Sequence, residues 1–219
     1  MKKTFLLVVI SCLLLKGYSQ TETEKLITKN WTISTNLISQ PYLFLPKNRL
    51  PNVFTGVGIT RYFGKIGVRL NYHHFDNNKS SLFLLDSNLV NEHSFSRENV
   101  VKIGMEYKKN YADIIALRFF ADYAYIPYTS ESEIYEDRQT PILFNENKGI
   151  CHGAIVGLGI DWKFSEHFSL GAETRIDFLF FEQNQKIQNF KNGNTVEYQV
   201  SANTMNLKLI GNVSFNYHF

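Results

Sequence analysis

Hydrophobic and polar side chains alternate one by one along most of the chain after residue 30. In the segment 66–72, for example, Ile, Val, Leu and Tyr stand at the even positions, with Gly, Arg and Asn between them. A period of two residues predicts β-strands with one apolar and one polar face, and no long segment has the spacing of an amphipathic helix. Eight strands are predicted, over residues 31–37, 53–60, 66–73, 101–107, 117–124, 154–164, 168–178 and 205–219.

The connections between these strands alternate between short and long. Short turns are predicted at 63–65, 108–111 and 165–167, and long loops at 39–51, 76–96, 126–148 and 183–198. Proline removes a hydrogen bond from a sheet, and all the prolines lie in the long connections, at Pro41, Pro46, Pro51, Pro127 and Pro141. We therefore predict an all-β fold, an eight-stranded antiparallel up-and-down barrel whose short turns and long loops lie at opposite ends.

The composition of the polar face indicates which side of the barrel it occupies. Soluble barrels point their apolar residues inward, whereas transmembrane barrels point them outward around a polar lumen. The polar face here combines glycines with charges of both signs, as a narrow lumen requires, so we predict a transmembrane barrel with Arg69 and Glu173 both inside. The charges expected in the lumen are Arg69, Lys102, Glu106, Arg118, Asp122, Asp161, Lys163, Glu173, Arg175, Asp177 and Lys208.

These lumen charges nearly balance, with six basic and five acidic members, so we expect them to pair in a lumen filled by ion pairs and water. A gated pore is the alternative, although eight strands leave little interior room. Aromatic residues such as Tyr62, Phe63 and Trp162 gather at the strand ends, as in a membrane-interface girdle. A soluble, lipocalin-like binding barrel is a further alternative.

The first 20 residues have the pattern of an export signal peptide. Lys2 and Lys3 precede an apolar run at 5–15, and a short polar region ends at Gln20, so we predict cleavage there and a mature barrel domain at 21–219. An alternative is a lipoprotein box that leaves Cys12 as an acylated N-terminus. The 219-residue chain carries 23 basic and 20 acidic residues, and the signal holds three of the basic ones. The mature chain is therefore neutral, which argues against nucleic-acid binding.

The last predicted strand carries a more specific pattern. In the segment 213–219, apolar residues at every second position lead to a terminal aromatic, with Phe215, Tyr217 and Phe219 on one face. This resembles the C-terminal signature of Gram-negative outer-membrane β-barrel proteins, and the whole mature chain resembles small eight-stranded barrels of the OmpA-transmembrane and OmpX type. The resemblance implies recognition by the barrel-assembly machinery and contact with outer-membrane lipid and lipopolysaccharide. The ending of the predicted signal peptide is similar to those of many Bacteroidota.

Candidate chemistry is sparse. His73, His74 and Asp76 stand where the third strand ends, with serines at 80 and 81. One hypothesis is a hydrolytic triad at the barrel mouth; histidines at the membrane interface are the simpler interpretation. A second group, Cys151 and His152 together with His73, His74 and His93, has none of the usual metal-site spacings. We therefore expect no metal and no cofactor.

The long loops are the remaining place for function. The connection 126–148 is rich in acidic residues and is either a solvated loop or a surface for a partner or a divalent cation. We expect an integral outer-membrane barrel with a structural or interaction role that displays four long loops to extracellular proteins or ligands. The alternatives are a lipid-modifying enzyme of the lipid A deacylase or acyltransferase type and a narrow conduit for small molecules.

Overall fold

A computed structural model describes residues 30–39, 52–85, 88–136 and 141–219, which form eight antiparallel strands. The strands are β1 (Trp31–Ser39), β2 (Asn52–Phe63), β3 (Ile66–Leu85), β4 (Asn88–Ala112), β5 (Ile115–Tyr135), β6 (Pro141–Lys163), β7 (Phe168–Asn189) and β8 (Asn194–His218). Each strand pairs with its neighbours in sequence, and β1 pairs with β8 to close the ring. The predicted all-β barrel is confirmed, and it has no sheet edge at the level where β1 pairs with β8. No helix in the described part of the chain is long and apolar enough to cross a membrane.

The closure between the first and last strands extends to the end of the chain. Ile33 pairs with Tyr217, and reciprocal backbone hydrogen bonds of 3.0 Å join Trp31 and Phe219. The short turns lie at this same end of the barrel, hereafter the turn end. Gly64, in the turn between β2 and β3, has a φ of 68°, a conformation that glycine adopts without strain.

The prediction of a long loop is wrong at three of the four places, because most of the residues there continue the strands. In the part of the chain described, β3 and β4 pair as far as Leu85 and Asn88, and β7 and β8 pair as far as Asn189 and Asn194. The sequence conceals these extensions because polar residues occupy both faces over much of their length and the apolar runs at 82–85 and 142–144 do not alternate, so the two-residue period disappears. Of the fourth predicted loop, residues 40–51 lie outside the described part, as does the predicted signal peptide.

Pro127 also differs from its predicted position in a loop, since it lies inside β5 opposite Ile150 of β6. On its other side the β4–β5 ladder has no partners at Asn99 and Val100, and it resumes at Glu98 and Val101 without a change of register. The strand therefore tolerates the missing N–H of proline by a local gap in one ladder.

Beyond the short strands β1 and β2, the six strands β3–β8 continue together. We call this part the outer sheet, and its first row of paired residues contains Asp76, Arg97, Thr129, Lys148 and Asn184. The outer sheet comprises residues 76–85, 88–97, 129–135, 141–148, 184–189 and 194–199.

Candidate functional site

The outside of the barrel is an apolar belt. Along β3 the outward residues Ile66, Val68, Leu70 and Tyr72 are all exposed, and on β8 Leu209 is 78% exposed. Large apolar side chains rarely cover so much of a water-soluble surface in one continuous band. Other exposed members of the belt are Val101, Ile103, Met105, Tyr107, Phe119, Tyr123, Tyr125, Val156, Leu158, Ile160, Trp162, Phe178, Met205 and Leu207.

Inside the turn-end half of the barrel, two arginines share a set of carboxylates. Arg69 Nη1 lies 3.0 Å from Glu106 Oε2, and its Nη2 lies 3.4 Å from Glu173 Oε1. Arg118 contacts Glu173 Oε1 and Asp161 Oδ1, each at 3.0 Å. Because all five side chains are buried, the arrangement offsets the cost of removing their charges from water.

The remaining predicted lumen charges occupy the same interior, with one exception. Asp122 lies 3.2 Å from Arg69 Nε, and Arg175 Nε lies 3.1 Å from Asp177 Oδ1. Lys102 and Lys208 are also buried, so ten of the eleven candidates are inside. The exception is Lys163, a half-buried residue at the turn end that donates a hydrogen bond to Asn110.

The lumen is nearly filled at the level of these charges. Strands β1 and β8 line one side of the lumen with small polar residues such as Asn36 and Asn212. The Asn212 side-chain amide donates a hydrogen bond of 2.6 Å to the Asn36 side-chain oxygen. A polar cavity lined also by Arg69, Glu106 and Arg118 has a volume of about 20 Å³. This is room for about one water molecule.

An apolar cluster lies in the lumen along β3–β7 and extends from Phe120 towards the outer sheet, which the sequence interpretation did not anticipate. Its members are buried inward-facing residues of β3–β7, with Phe181 packed against them. They are Phe75, Val100, Phe120, Ala124, Ile126, Tyr128, Cys151, Ile155 and Leu179. Extending the inward parity of β5 and β6 beyond the predicted strands identifies Ile126 and Cys151, and the same extension along β4 identifies the buried Glu98.

The triad candidates separate onto the two faces of β3. His73 is buried in the lumen, where the Asn36 amide donates to its Nδ1 at 3.2 Å. His74 lies on the outside just beyond the apolar belt, where its Nδ1 donates to Asn99 at 2.8 Å and its Nε2 to Asp76 at 2.9 Å. The Ser80 hydroxyl lies 2.8 Å from a nitrogen of a different histidine, His93. No serine of the described chain therefore completes the pair of His74 and Asp76.

Hydrogen bonds shift the pKa values of His74 and Asp76. The bonds to Asn99 and Asp76 raise the pKa of His74, because both oxygens accept from the imidazolium. Arg97 Nε donates to Asp76 at 2.9 Å and lowers the pKa of that carboxyl, with a further contribution from His74. The three side chains form a charged contact at the rim, and none of them is a free nucleophile.

The group of Cys151 and the histidines is likewise dispersed. Cys151 is buried in the apolar cluster, whereas His152 faces outward, with its Nδ1 3.1 Å from the Tyr123 hydroxyl. Among the described residues, no three His, Cys, Asp or Glu side chains are grouped so that they could hold a metal ion. Cys151 and His152 point to opposite faces because adjacent residues of a strand alternate.

Aromatic side chains at the turn end surround the last strand. The Phe168 ring lies 5.4 Å from Phe215 and 5.2 Å from Tyr217, and the Tyr217 ring lies 5.7 Å from Phe219. Phe164 stacks on Phe168 with its centroid at 6.2 Å. Rings at these separations gain about 1 kcal/mol per pair beyond their burial. The three predicted assembly residues therefore belong to one aromatic cluster on the outer surface.

Comparison with known proteins gives a distant fold match. No protein-family model matches the sequence, and none of the curated protein sequences is similar to it. Among solved structures, the ferric yersiniabactin uptake receptor FyuA from Yersinia pestis matches with a TM-score of 0.39 and 13% identity. The match covers 69% of this chain and 23% of the receptor.

Proposed function

We propose that this chain is an integral outer-membrane β-barrel with a structural or binding role, exported by the signal peptide at 1–20. The observation that carries the proposal is the inverted distribution of polarity between the two faces of the barrel. Arg69 of β3 and Glu173 of β7 meet inside, while Leu70 of β3 and Phe178 of β7 are exposed outside. Lipid tails can cover the apolar side chains of the belt, and the closed ring pairs the backbone of each strand with both of its neighbours along most of the belt.

A soluble barrel with this sequence would be unstable. It would leave the whole apolar belt in water, where apolar surface is unfavourable. Conversely, the charges begin where the belt ends, since Asp76 and Arg97 follow Tyr72 and Val101 on the outward face. The belt therefore has the limited height expected of a membrane-spanning band.

The filled lumen favours a binding or structural role over transport. The interior charges are paired, the polar cavity described at their level has a volume of about 20 Å³, and the apolar cluster occupies the lumen along β3–β7. The parts that remain available to partners are the outer sheet and the lipid-facing belt, where we expect contacts with outer-membrane lipid and lipopolysaccharide. Both ring nitrogens of His74 are held, by Asn99 and by Asp76, so this histidine does not support a lipid-modifying site.

Fractionation combined with gel mobility tests the membrane proposal. The expressed full chain is expected in the outer-membrane fraction, and its unheated form is expected to migrate differently from the boiled form in SDS. Recovery in buffer without detergent, or identical migration of both forms, contradicts the proposal. Planar-bilayer recording of the same preparation should show no long-lived open state; a stable conductance level would favour the conduit instead.

A further inference from the structure

An arginine interrupts the apolar outward face of β2 close to the turn end. Towards the turn, the outward residues of this strand are Val57, Ile59, Arg61 and Phe63. Arg61 is exposed, and its guanidinium carbon lies 5.1 Å from the ring centroid of Trp31 and 5.0 Å from that of Phe63. The two rings hold the cation on the outer surface, but they offer no oxygen to its N–H donors.

The charge of Arg61 is not neutralised within the described part of the chain. No carboxylate of the described residues lies within 4 Å of its guanidinium. The outward cations of the outer sheet differ in this respect, since Arg97 Nε lies 2.9 Å from Asp76 and Lys186 Nζ lies 3.7 Å from Glu197. The environment of the barrel must therefore supply the anion that Arg61 attracts.

The outward surface around Arg61 is positively charged as a whole. In the turn-end half of the barrel, the outward face of the described strands carries two charged side chains, Arg61 and Lys109, and no carboxylate. Lys109 is exposed and follows Met105 and Tyr107 on the outward face of β4. An apolar belt that ends in cations and aromatic rings has the chemistry of a surface in contact with acyl chains and anionic headgroups.

We propose that Arg61, between Trp31 and Phe63, binds the phosphate of an anionic glycerophospholipid in the membrane leaflet at the turn end. A guanidinium presents paired N–H donors that match two oxygens of a phosphate, and the rings can pack against the glycerol and the upper acyl chains. A zwitterionic headgroup brings its own ammonium group, whereas an anionic one leaves its negative charge to Arg61.

The position of Arg61 along the strand agrees with headgroup depth. Phe63 is the last residue of β2, so Arg61 lies one side chain away from the turn on the outward face. Arginine is unfavourable in the middle of the hydrocarbon and is tolerated close to the interface, where it reaches the headgroups. The inference rests on the proposed membrane function, because only a barrel embedded in lipid brings phosphates to this surface.

Tryptophan fluorescence tests the inference, because the chain has two tryptophans at different distances from Arg61. Trp31 lies beside it, whereas Trp162 is 53% exposed on β6 and has Phe164 as its ring neighbour. Trp162→Phe and Trp31→Phe each leave one reporter in the full chain, which is refolded into phosphatidylcholine bilayers. Part of the lipid is replaced by phosphatidylglycerol or phosphatidylcholine with brominated acyl chains, which quench a tryptophan that they touch.

We expect the quenching of Trp31 to show local binding of phosphatidylglycerol about 5-fold stronger than that of phosphatidylcholine, and the quenching of Trp162 to show no preference. Arg61→Gln in the Trp162→Phe protein should abolish the preference. The matched control Arg97→Gln removes a cation that is paired at the opposite end of the belt and should leave the preference at Trp31 unchanged.

The remaining outcomes separate the possible sources of the phosphate and the two proposals. Inorganic phosphate, compared with sodium chloride at equal ionic strength, should not reduce the preference at Trp31; a reduction would assign the site to free phosphate and overturn the inference. Equal preferences at Trp31 and Trp162, or a preference that survives Arg61→Gln, also overturn it. Equal quenching of Trp31 by both brominated lipids overturns it and leaves the membrane proposal standing, whereas no quenching of either tryptophan contradicts both proposals.

Discussion

Arg69 of β3 and Glu173 of β7 touch across the lumen, with 3.4 Å between Nη2 and Oε1, although three strands separate them around the ring. Arg118 of β5 reaches the same carboxylate oxygen at 3.0 Å. Three walls of the barrel are therefore joined through Glu173. This contact explains how an eight-stranded barrel can be rigid while its interior is polar.

Removal of the negative charge of Glu173 should destabilise the barrel. Glu173→Gln leaves two buried guanidinium groups with one carboxylate fewer, and we expect a loss of about 3 kcal/mol in the free energy of unfolding. Guanidinium chloride titration in detergent measures it. The matched control Glu182→Gln lies on the exposed outward face of the same strand and should change stability by less than about 0.5 kcal/mol. Similar values for both variants would contradict the structural role of the ion pairs.

Two isoleucines of β6 test which face of the barrel is packed. Ile155 is fully buried in the apolar cluster, whereas Ile160 is 51% exposed on the belt. Ile155→Ala leaves a cavity and should cost about 2–5 kcal/mol in the same titration. Ile160→Ala should cost less, because lipid or detergent fills the space. The reverse order would indicate that the barrel is turned inside out.

Gly157 tests how narrow the lumen is. A Cβ at this position would lie 2.4 Å from the Phe120 ring and 2.3 Å from the Thr174 carbonyl oxygen. Gly157→Ala should therefore reduce the yield of heat-modifiable protein on refolding. Gly193→Ala, in the β7–β8 turn, meets open space and bears only the cost of a φ of 70°, about 1–2 kcal/mol. Normal refolding of Gly157→Ala would show that the lumen is wider than described.

The hydrogen bonds of His74 to Asn99 and Asp76 should depend on pH. Its pKa is raised by the bonds to Asn99 and Asp76, so the contact is complete below the ordinary value of 6.5 and is lost as the pH rises through the higher folded pKa. Ring chemical shifts measured by NMR should show the His74 midpoint falling towards 6.5 in Asn99→Ala and also in Asp76→Asn. Glu182→Gln should leave it in place. An unchanged midpoint in Asn99→Ala would refute the contact.

A variant of Phe219 distinguishes assembly in the cell from the stability of the folded barrel. Its side chain is 47% exposed at the turn end, and its backbone hydrogen bonds to Trp31 do not require the ring. If the resemblance to the outer-membrane assembly signature holds, Phe219→Ala should lower the amount of protein in the outer membrane and leave refolding in detergent unchanged. Phe63→Ala, 60% exposed at the same end, is the control. Equal membrane levels of the two variants would argue against the assembly signal.

Much of the barrel could be predicted because one face of each strand is apolar where the strand crosses the belt. The alternation through Ile66, Val68 and Leu70 defines β3 at this level, and the strand count and barrel class are confirmed. The alternation stops being informative beyond His74, where the outward residues become polar, so the outer sheet was mistaken for loops. Pro127 strengthened that error, because its accommodation depends on a gap in the ladder to β4.

The sequence by itself determined the strands, their turns and the segregation of charge from apolar surface, because these follow from a local period of two residues. Only the tertiary structure decided which charges meet, since the contact of Arg69 with Glu173 depends on closure of the ring and on the register of every strand between them. The same registers align Asn77 with Gln185 in one row and place His73 and His74 on opposite faces. Contacts between residues far apart in sequence arise from register and closure, which no local pattern encodes.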